Sequence, residues 1–384
     1  MTHQFALTED QLAIQDAAAR FTADHITPHA ADWDRDHFFP VDTIRKAAEL
    51  GFGAIYVSEE SGGAGLGRLE AALVMEAMAY GCPSTSAFIS IHNMVSWMID
   101  SVGSPDLKAR YLPSLVTMEH FASYCLTEPG SGSDAAALSS RAVRDGDHYR
   151  LTGSKAFISG AGVSDIYAVM CRTGDASPAG ISCLIVEKDW PGVSFGAPER
   201  KLGWRSQPTA VVSFDDVKVP VGNLLGSEGE GFKIAMRGLD GGRLNIGACS
   251  LGGAQRCLED AIRYTRERRQ FGKAIGEFQN TQFMLADMAT ELEAARCLLY
   301  TAAAKVSAGA ADRTMFAAMA KRLATDVGFK VVNDALQLHG GYGYLQDFAV
   351  ERFLRDLRVH QILEGTNQIM RVIIARELLR HNLS

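Results

Sequence analysis

A change of periodicity near residue 121 constrains this chain more than any other feature. Before it, apolar residues recur at three- and four-residue spacing. After it come short β-branched runs broken by Gly, Pro and Ser, and from residue 231 the helical spacing returns. The order is helices, then strands, then helices, with no internal repeat and no low-complexity tract. At 384 residues the chain exceeds what one core usually supports, so two or three packed regions are expected. The reading is an α+β fold, mostly α, with regions at 1–120, 121–228 and 229–384.

Local signals fill in the elements. Thr8 and Gln11 form a capping box that opens a helix running to about residue 23. A second helix spans 42–50 and stops at Gly51. The glycine-rich loop at 61–67 precedes a helix to about residue 80, and another helix covers 84–102. Strands are expected at 121–126, 166–172, 181–187 and 209–214, with a hairpin at 141–151 turning on Asp145-Gly146-Asp147. No helix in this middle region is long enough for a parallel βαβ unit. Helices resume at 230–268, 280–308, 314–339, 347–356 and 367–381.

Composition narrows the function. A hydrophobic content of 47% is ample for real cores, and a formal charge of −7 argues against a protein that coats nucleic acid or anionic membrane. Seven cysteines are scattered, odd in number and form no Cys-x-x-Cys pair, the pattern of a reducing compartment. The N-terminal residues lack the basic and apolar stretches of a signal peptide, and no apolar run approaches membrane-spanning length. A cytoplasmic protein without membrane insertion is the expectation. His92, His339 and His360 are dispersed and read as hydrogen-bonded structural histidines, so no metal site is expected.

Two stretches carry chemistry. Glu364 stands between Ile362-Leu363 and Gly365-Thr366, with no Lys or Arg within four residues on either side. A carboxylate in apolar surroundings loses hydration, its pKa rises, and it becomes suited to act as a general base. The second stretch, Gly130-Ser131-Gly132-Ser133-Asp134-Ala135, matches the letters of a dinucleotide fingerprint. Its context does not, because a hairpin follows where a helix and a second parallel strand should. It reads as a glycine-rich loop that lets backbone N–H groups approach a flat or anionic ligand.

The segment Tyr124-Cys125-Leu126-Thr127-Glu128-Pro129-Gly130-Ser131-Gly132-Ser133-Asp134 resembles the first signature of the acyl-CoA dehydrogenases. Residues 337–368, with His339-Gly340-Gly341-Tyr342-Gly343-Tyr344 and Leu363-Glu364-Gly365-Thr366, resemble the second. The likeness runs the length of the chain. It implies an N-terminal helical domain, a central β-barrel-like domain, a C-terminal four-helix bundle, non-covalent FAD, and a homotetramer built as a dimer of dimers.

The resemblance also implies roles. Tyr124, Cys125, Leu126, Thr127, Gly132 and Ser133 would line the flavin, with Ser133 also near the CoA arm. Phe157, Ile158 and Ser159 would pack behind its ring. Most relatives place Trp at 157, and Phe keeps the stacking area without the indole donor. Taken alone, Phe157 reads equally as an ordinary core aromatic. Arg268, Gln270, Phe271 and Gln279 resemble the segment reaching the FAD pyrophosphate of a neighbouring subunit, a diphosphate suiting a guanidinium fork. Gln337, Gly340 and Gly341 resemble a further cross-subunit contact, and Thr366 and Gln368 would meet the adenosine. Asp240 and Arg243 match the CoA-holding position. Some relatives carry the base in that helix and a glycine where Glu364 stands. Here residue 242 is Gly and 364 is Glu, which makes Glu364 the base.

Within the family the chain resembles members that act on isobutyryl-CoA in valine breakdown. The matching stretches are 89–94, 155–162, 180–183, 202–209 and 360–367. Leu363 stands where many straight-chain enzymes carry Tyr. Ser86, Ala87 and Ser90 are candidates for lining the acyl pocket, beside Glu364 and Gly365. The implied reaction removes the α-proton with Glu364 and delivers the β-hydrogen to FAD, whose electrons pass to an electron-transfer flavoprotein. The backbone N–H of Glu364 would bind the thioester oxygen, a donor of this kind contributing about 3 kcal/mol. Because one methylene discriminates by only about 1–3 kcal/mol, overlap with 2-methylbutyryl- and butyryl-CoA is expected. The competing readings are an acyl-CoA oxidase, a DNA-associated flavoprotein of the same fold, and a desulfinase. The acidic charge and the presence of Glu364 weigh against the last two.

Overall fold

The computed structural model describes residues 7–381. Six helices come first: α1 (Glu9–Phe21), α2 (Ala30–Asp36), α3 (Val41–Ala48), α4 (Arg68–Ala79), α5 (Pro83–Val102) and α6 (Pro105–Val116). The capping box forms as its residues dictate. The Gln11 N–H donates to Thr8 Oγ1 at 3.2 Å, and the Thr8 N–H donates to the Gln11 amide oxygen at 3.0 Å. A π-turn at Thr22–Ile26 carries α1 beyond its regular end, and Gly51 closes the α3 segment with φ +80°. The seven-residue α2 and α6 carry no expectation from the sequence; α6 is capped by Ser104, which accepts from the Leu107 N–H at 3.2 Å.

The middle region contributes β1 (Ala122–Cys125), β2 (Arg141–Asp145), β3 (His148–Ser159), β4 (Ile166–Arg172), β5 (Ile181–Glu187), β6 (Val193–Phe195), β7 (Thr209–Pro220) and β8 (Leu224–Leu225). They form one sheet in the order β6-β7-β3-β2-β4-β5-β8, with β1 lying parallel to β4 in the register Tyr124↔Ala168. The sheet of the expected barrel-like domain is open. The sheet ends in three-residue β6 and two-residue β8, too short to pair across the gap, and among the described residues they do not pair. The parallel pair β1–β4 forms without a crossover helix, because the β2–β3 hairpin fills the connection.

Strands β4 and β5 read as unbroken apolar runs because both their faces are covered. Ile166, Ala168 and Met170 pack with Met94, Met98 and Leu112 of the helices, whereas Tyr167, Val169 and Cys171 pack with Val212 and Phe214 across the sheet.

The chain then returns to helix: α7 (Gly231–Glu267), a short hairpin of β9 (Arg269–Gln270) and β10 (Lys273–Ala274), α8 (Gln279–Ser307), α9 (Arg313–His339), α10 (Val350–Arg358) and α11 (Asn367–His381). One core joins the two helical regions. Ala71, Val74 and Met75 of α4 belong to the same cluster as Leu244, Leu299, Ala324 and Phe353. The seven cysteines are free, six of them buried and Cys297 exposed. No helix among the described residues is long and apolar enough to cross a membrane.

Candidate active site

The site is built around a turn between α10 and α11. A 3₁₀ turn at Val359–Gln361 ends α10, and Glu364 and Gly365 follow with φ +54° and +89°. For a side chain with a Cβ this left-handed conformation costs about 1–2 kcal/mol, so the surroundings must hold it. Two buried cations do so. Arg243 Nε donates to the Glu364 carbonyl at 3.3 Å, and Lys321 Nζ donates to the Gly365 carbonyl at 2.8 Å and to Asn367 Oδ1 at 2.9 Å. Arg243 is itself fixed by Asp240 at 2.8 Å, and Asp240 accepts from Thr314 at 2.7 Å. Thr366 Oγ1 caps α11 by accepting from the Ile369 N–H at 3.2 Å.

The Glu364 side chain leans into a notch on α7. A Cβ added at Gly242 would lie 2.6 Å from Glu364 Oε2 and 2.9 Å from its carboxyl carbon. Residues 242 and 364 therefore compete for one space, and the glycine at 242 leaves room for the carboxylate. Glu364 keeps some exposed surface, yet its Oε2 is buried and lacks a hydrogen-bond partner among the described residues. Burial pushes its carboxyl up from 4.5 to about 7, against the charges of Arg243 and Lys321. The same burial pulls the Lys321 ammonium down to about 7, against the attraction of Glu364. Tyr124 comes close enough for the Glu364 charge to add to the burial that holds its phenol well above the ordinary value, and its hydroxyl too is buried without a partner among the described residues.

A second network fixes the turn from behind. The Trp204 backbone N–H donates to Asp356 Oδ1 at 2.6 Å, and its indole donates to His360 Nε2 at 3.2 Å. His360 Nδ1 then lies 2.7 Å from Ser250 Oγ, which donates to the Ile246 carbonyl at 3.0 Å. With the indole donating to Nε2, the imidazole proton resides on Nδ1 and the ring is neutral. Burial agrees, holding its pKa down at about 3. His92 and His339 are likewise hydrogen-bonded, to the Leu115 carbonyl at 2.8 Å and the Ala335 carbonyl at 2.7 Å. Leu363 and Ala87 share a small cluster with Trp204 and Ile246, and Ser90 accepts from Asn245 at 3.0 Å. Ser86 does not join them. Its hydroxyl donates to the Met75 carbonyl at 2.8 Å and packs against Cys249, serving the contact between helices.

The first signature forms β1 and the loop after it. Glu128 anchors that loop: it accepts from the Ser139 and Ser140 N–H groups at 2.6 and 2.9 Å and pairs with buried Lys155 at 2.8 Å. Gly132 and Ser133 are exposed at its tip, and a Cβ on Gly130 or Gly132 would meet no atom within 4 Å. The Thr127 carbonyl accepts from the Ala156 N–H at 2.9 Å, tying the loop to β3. There the β3–β7 register slips between Lys155 and Ile158, and the resulting bulge turns Phe157 outward with φ +58° and 68% exposure. Phe157 is thus not a core aromatic. Ile158 is buried, and the Ser159 carbonyl accepts from Ser123 at 2.5 Å.

A separate groove gathers Arg268, Gln270, Gln337, Gly340 and Gly341 beside Tyr264 and Tyr342. Phe271, 93% exposed, and Gly272 form the two left-handed residues of the β9–β10 turn. Gln279 opens α8 and Gln368 lies in the first turn of α11, both exposed and outside that groove. Among the described residues, no three His, Cys, Asp or Glu side chains are grouped to hold a metal ion.

Sequence reasoning missed Lys321, Trp204 and the Glu128–Lys155 pair. Only Lys321 left a trace. It interrupts an apolar stripe, four residues after Ala317 and three before Ala324, and a lysine on such a face needs a buried partner.

The chain and its fold are matched by known proteins. Residues 8–119, 123–217 and 229–379 match the N-terminal, middle and C-terminal domains of acyl-CoA dehydrogenase, in that order. The chain belongs to the acyl-CoA dehydrogenase family. It is 57% identical to a mitochondrial isobutyryl-CoA dehydrogenase of Dictyostelium discoideum, over 97% of this chain and 90% of that protein. Among solved structures it superposes on butyryl-CoA dehydrogenase from Megasphaera elsdenii with a TM-score of 0.95 at 37% identity, covering 98% of this chain and all of the other. PigA, solved with FAD and proline, gives 0.95 at 32% identity, over 98% of this chain and 99% of PigA.

Proposed function

We propose that this chain converts isobutyryl-CoA to methacrylyl-CoA, with Glu364 as the base. The carrying observation is the Glu364 carboxyl, seated in the Gly242 notch and raised to about 7. The identity to the Dictyostelium enzyme supports the choice of acyl group.

FAD is the cofactor, and the residues fit it. The loop at Gly130 and Gly132 leaves its backbone open to a ligand, Phe157 is presented outward by the bulge, and the buried Tyr124 hydroxyl lacks a partner among the described residues. Tyr124, Thr127, Ser133 and the segment 157–159 would hold the flavin. Arg268, Gln270, Gln337, Gly340 and Gly341 would hold the pyrophosphate end of a cofactor bound mainly by a second copy of the chain, within a homotetramer. When bound, FAD accepts the hydride that leaves the β-carbon.

The chain's own residues do the rest. Glu364 takes the proton from the α-carbon as the β-hydrogen departs with its electron pair, leaving the α,β double bond. The backbone N–H of Glu364, held in the left-handed turn by Arg243 and Lys321, binds the thioester oxygen where enolate charge develops. Asp240 and Arg243 serve the CoA side, although in this structure their charges are spent largely on each other and on the turn. Leu363, Ala87 and Ser90 border the acyl group. The electrons go on to an electron-transfer flavoprotein, for which the outward Phe157 is a suitable contact. The free thiols fit the reducing conditions of the cytoplasm.

The test is an anaerobic titration of the holoenzyme with isobutyryl-, butyryl- and 2-methylbutyryl-CoA, following the visible flavin band. Isobutyryl-CoA should bleach it most completely. The Glu364→Gln variant should bind FAD and substrate yet be reduced more than about a hundredfold more slowly, the scale of a lost general base. Near-normal reduction of that variant refutes the role of Glu364, and stronger bleaching by another acyl-CoA moves the substrate.

A further inference from the structure

Arg68, at the start of α4, is 7% exposed and its Nη1 has no hydrogen-bond partner among the described residues. A buried guanidinium normally finds a carboxylate or carbonyl; this one lies instead over the ring of Tyr56 at 3.7 Å and that of Trp97 at 4.9 Å. Its position relative to the base is set by two consecutive glycines. A Cβ on Gly241 would lie 2.3 Å from Arg68 Nη1, and one on Gly242 would lie 2.6 Å from Glu364 Oε2. The two groups therefore enter adjacent notches on the same stretch of α7.

The same face of α7 continues to Asn245, three residues beyond Gly242. Asn245 Nδ2 donates to Ser90 Oγ at 3.0 Å and reaches the Tyr56 hydroxyl at 3.4 Å, while its Oδ1 is buried without a partner among the described residues. Tyr56 thus has an unpaired donor across its ring and an unpaired acceptor beside its hydroxyl. We propose that Arg68, with Tyr56 and Asn245, is a polar end-stop that determines acyl chain length, admitting short acyl groups and rejecting longer straight chains. This rests on the reading of Glu364 as the base of an acyl-CoA site.

The physics is that of a site rejecting a substrate that cannot satisfy it. The isobutyryl group ends one carbon past its α-carbon and leaves the guanidinium and the amide oxygen free to share water. A hexanoyl chain continues along the glycine face of α7, displaces that water and offers no hydrogen bond in return. Discrimination by a single methylene already reaches about 10–200-fold, and several methylenes against unpaired polar atoms should do no less.

The experiment measures kcat/KM of the holoenzyme for hexanoyl-CoA and isobutyryl-CoA in the wild type, Arg68→Met and Arg68→Lys. Methionine keeps an unbranched apolar stem but removes the guanidinium and its donors, so the hexanoyl to isobutyryl ratio should rise at least about tenfold. Lysine keeps a donor and should leave the ratio low. A purely structural Arg68 would lower both rates and leave the ratio where it was. An Arg68→Met enzyme with full flavin content and a ratio within about twofold of wild type overturns the proposal. Should Arg68→Met not retain flavin, Asn245→Leu removes the facing acceptor and must raise the ratio instead; an unchanged ratio there is equally fatal. A wild type that no short acyl-CoA reduces would sink the functional reading before any variant is compared, so the two failures are distinct.

Discussion

Lowering the pH from 8 to 6 should slow the second-order reduction of the holoenzyme by isobutyryl-CoA about tenfold. The Glu364 carboxyl sits at about 7, and only its ionised form can accept the α-proton. At a pKa of 7 the ionised fraction is roughly nine-tenths at pH 8 and one-tenth at pH 6, so the rate rises with pH through that interval. The second-order constant, from anaerobic stopped-flow traces at low substrate, reports the free enzyme, to which this pKa belongs. Glu364 and Lys321 titrate as a pair, so the midpoint belongs to both. Lys321 favours the ionised carboxyl, and Lys321→Met should therefore move the midpoint upward. A flat profile, a midpoint below about 5.5, or a downward movement in the Lys321 variant would refute the account of a buried base poised by two cations.

Gly242→Ala should retain FAD and lose at least about a hundredfold in flavin reduction, because the new Cβ would lie 2.6 Å from Glu364 Oε2 and displacements of this size are costly. Glu364→Gln should stabilise the protein at pH 8 but not at pH 4.5. Its raised carboxyl means that the folded state holds a proton the unfolded state releases between 4.5 and about 7, so stability falls as pH rises through that window. The gain above pH 7 should approach about 3 kcal/mol, seen as a higher Tm of the variant holoenzyme at pH 8, with the difference closing at pH 4.5. Lys155→Met should destabilise by about 3–5 kcal/mol by leaving Glu128 buried and unpaired, and Lys155→Met/Glu128→Gln should recover part of the lost Tm. Phe157→Ala should slow reoxidation by an electron-transfer flavoprotein more than it slows reduction by acyl-CoA, measured as flavoprotein-coupled against dye-coupled turnover.

The long helices were legible because a helix with one apolar face announces itself at a period of 3.6. The segment expected at 280–308 forms at Gln279–Ser307, and that expected at 314–339 forms at Arg313–His339. Strands were legible where both faces are buried, as in β4 and β5. Strand β7 runs on to Pro220, beyond its expected end, because Asp215 and Asp216 break the apolar signal at a bulge and the β3 ladder resumes after them at Val217. Glu364 stood out by its charge-free neighbours, a local property that alone fits a solvated carboxylate as well, and the resemblance singled it out. Its support was not legible. Lys321 is 43 residues away in sequence and Trp204 is 160, and only folding brings them to one turn. The outward turn of Phe157 depends on a register slip that single-strand composition does not encode.

Trp204 belongs to the loop between β6 and β7, yet both its side-chain and its backbone donors are bonded to the stretch that ends in Glu364. Gly203 is seated just as tightly, since a Cβ there would lie 2.3 Å from the Arg355 carbonyl. Swivelling the sheet against the bundle would break these contacts. A rotation that kept them would carry Asp356 and His360 with it and re-aim the carboxyl downstream. The outward face of the sheet and the Glu364 carboxyl on the bundle are thus tied together through the Trp204 loop.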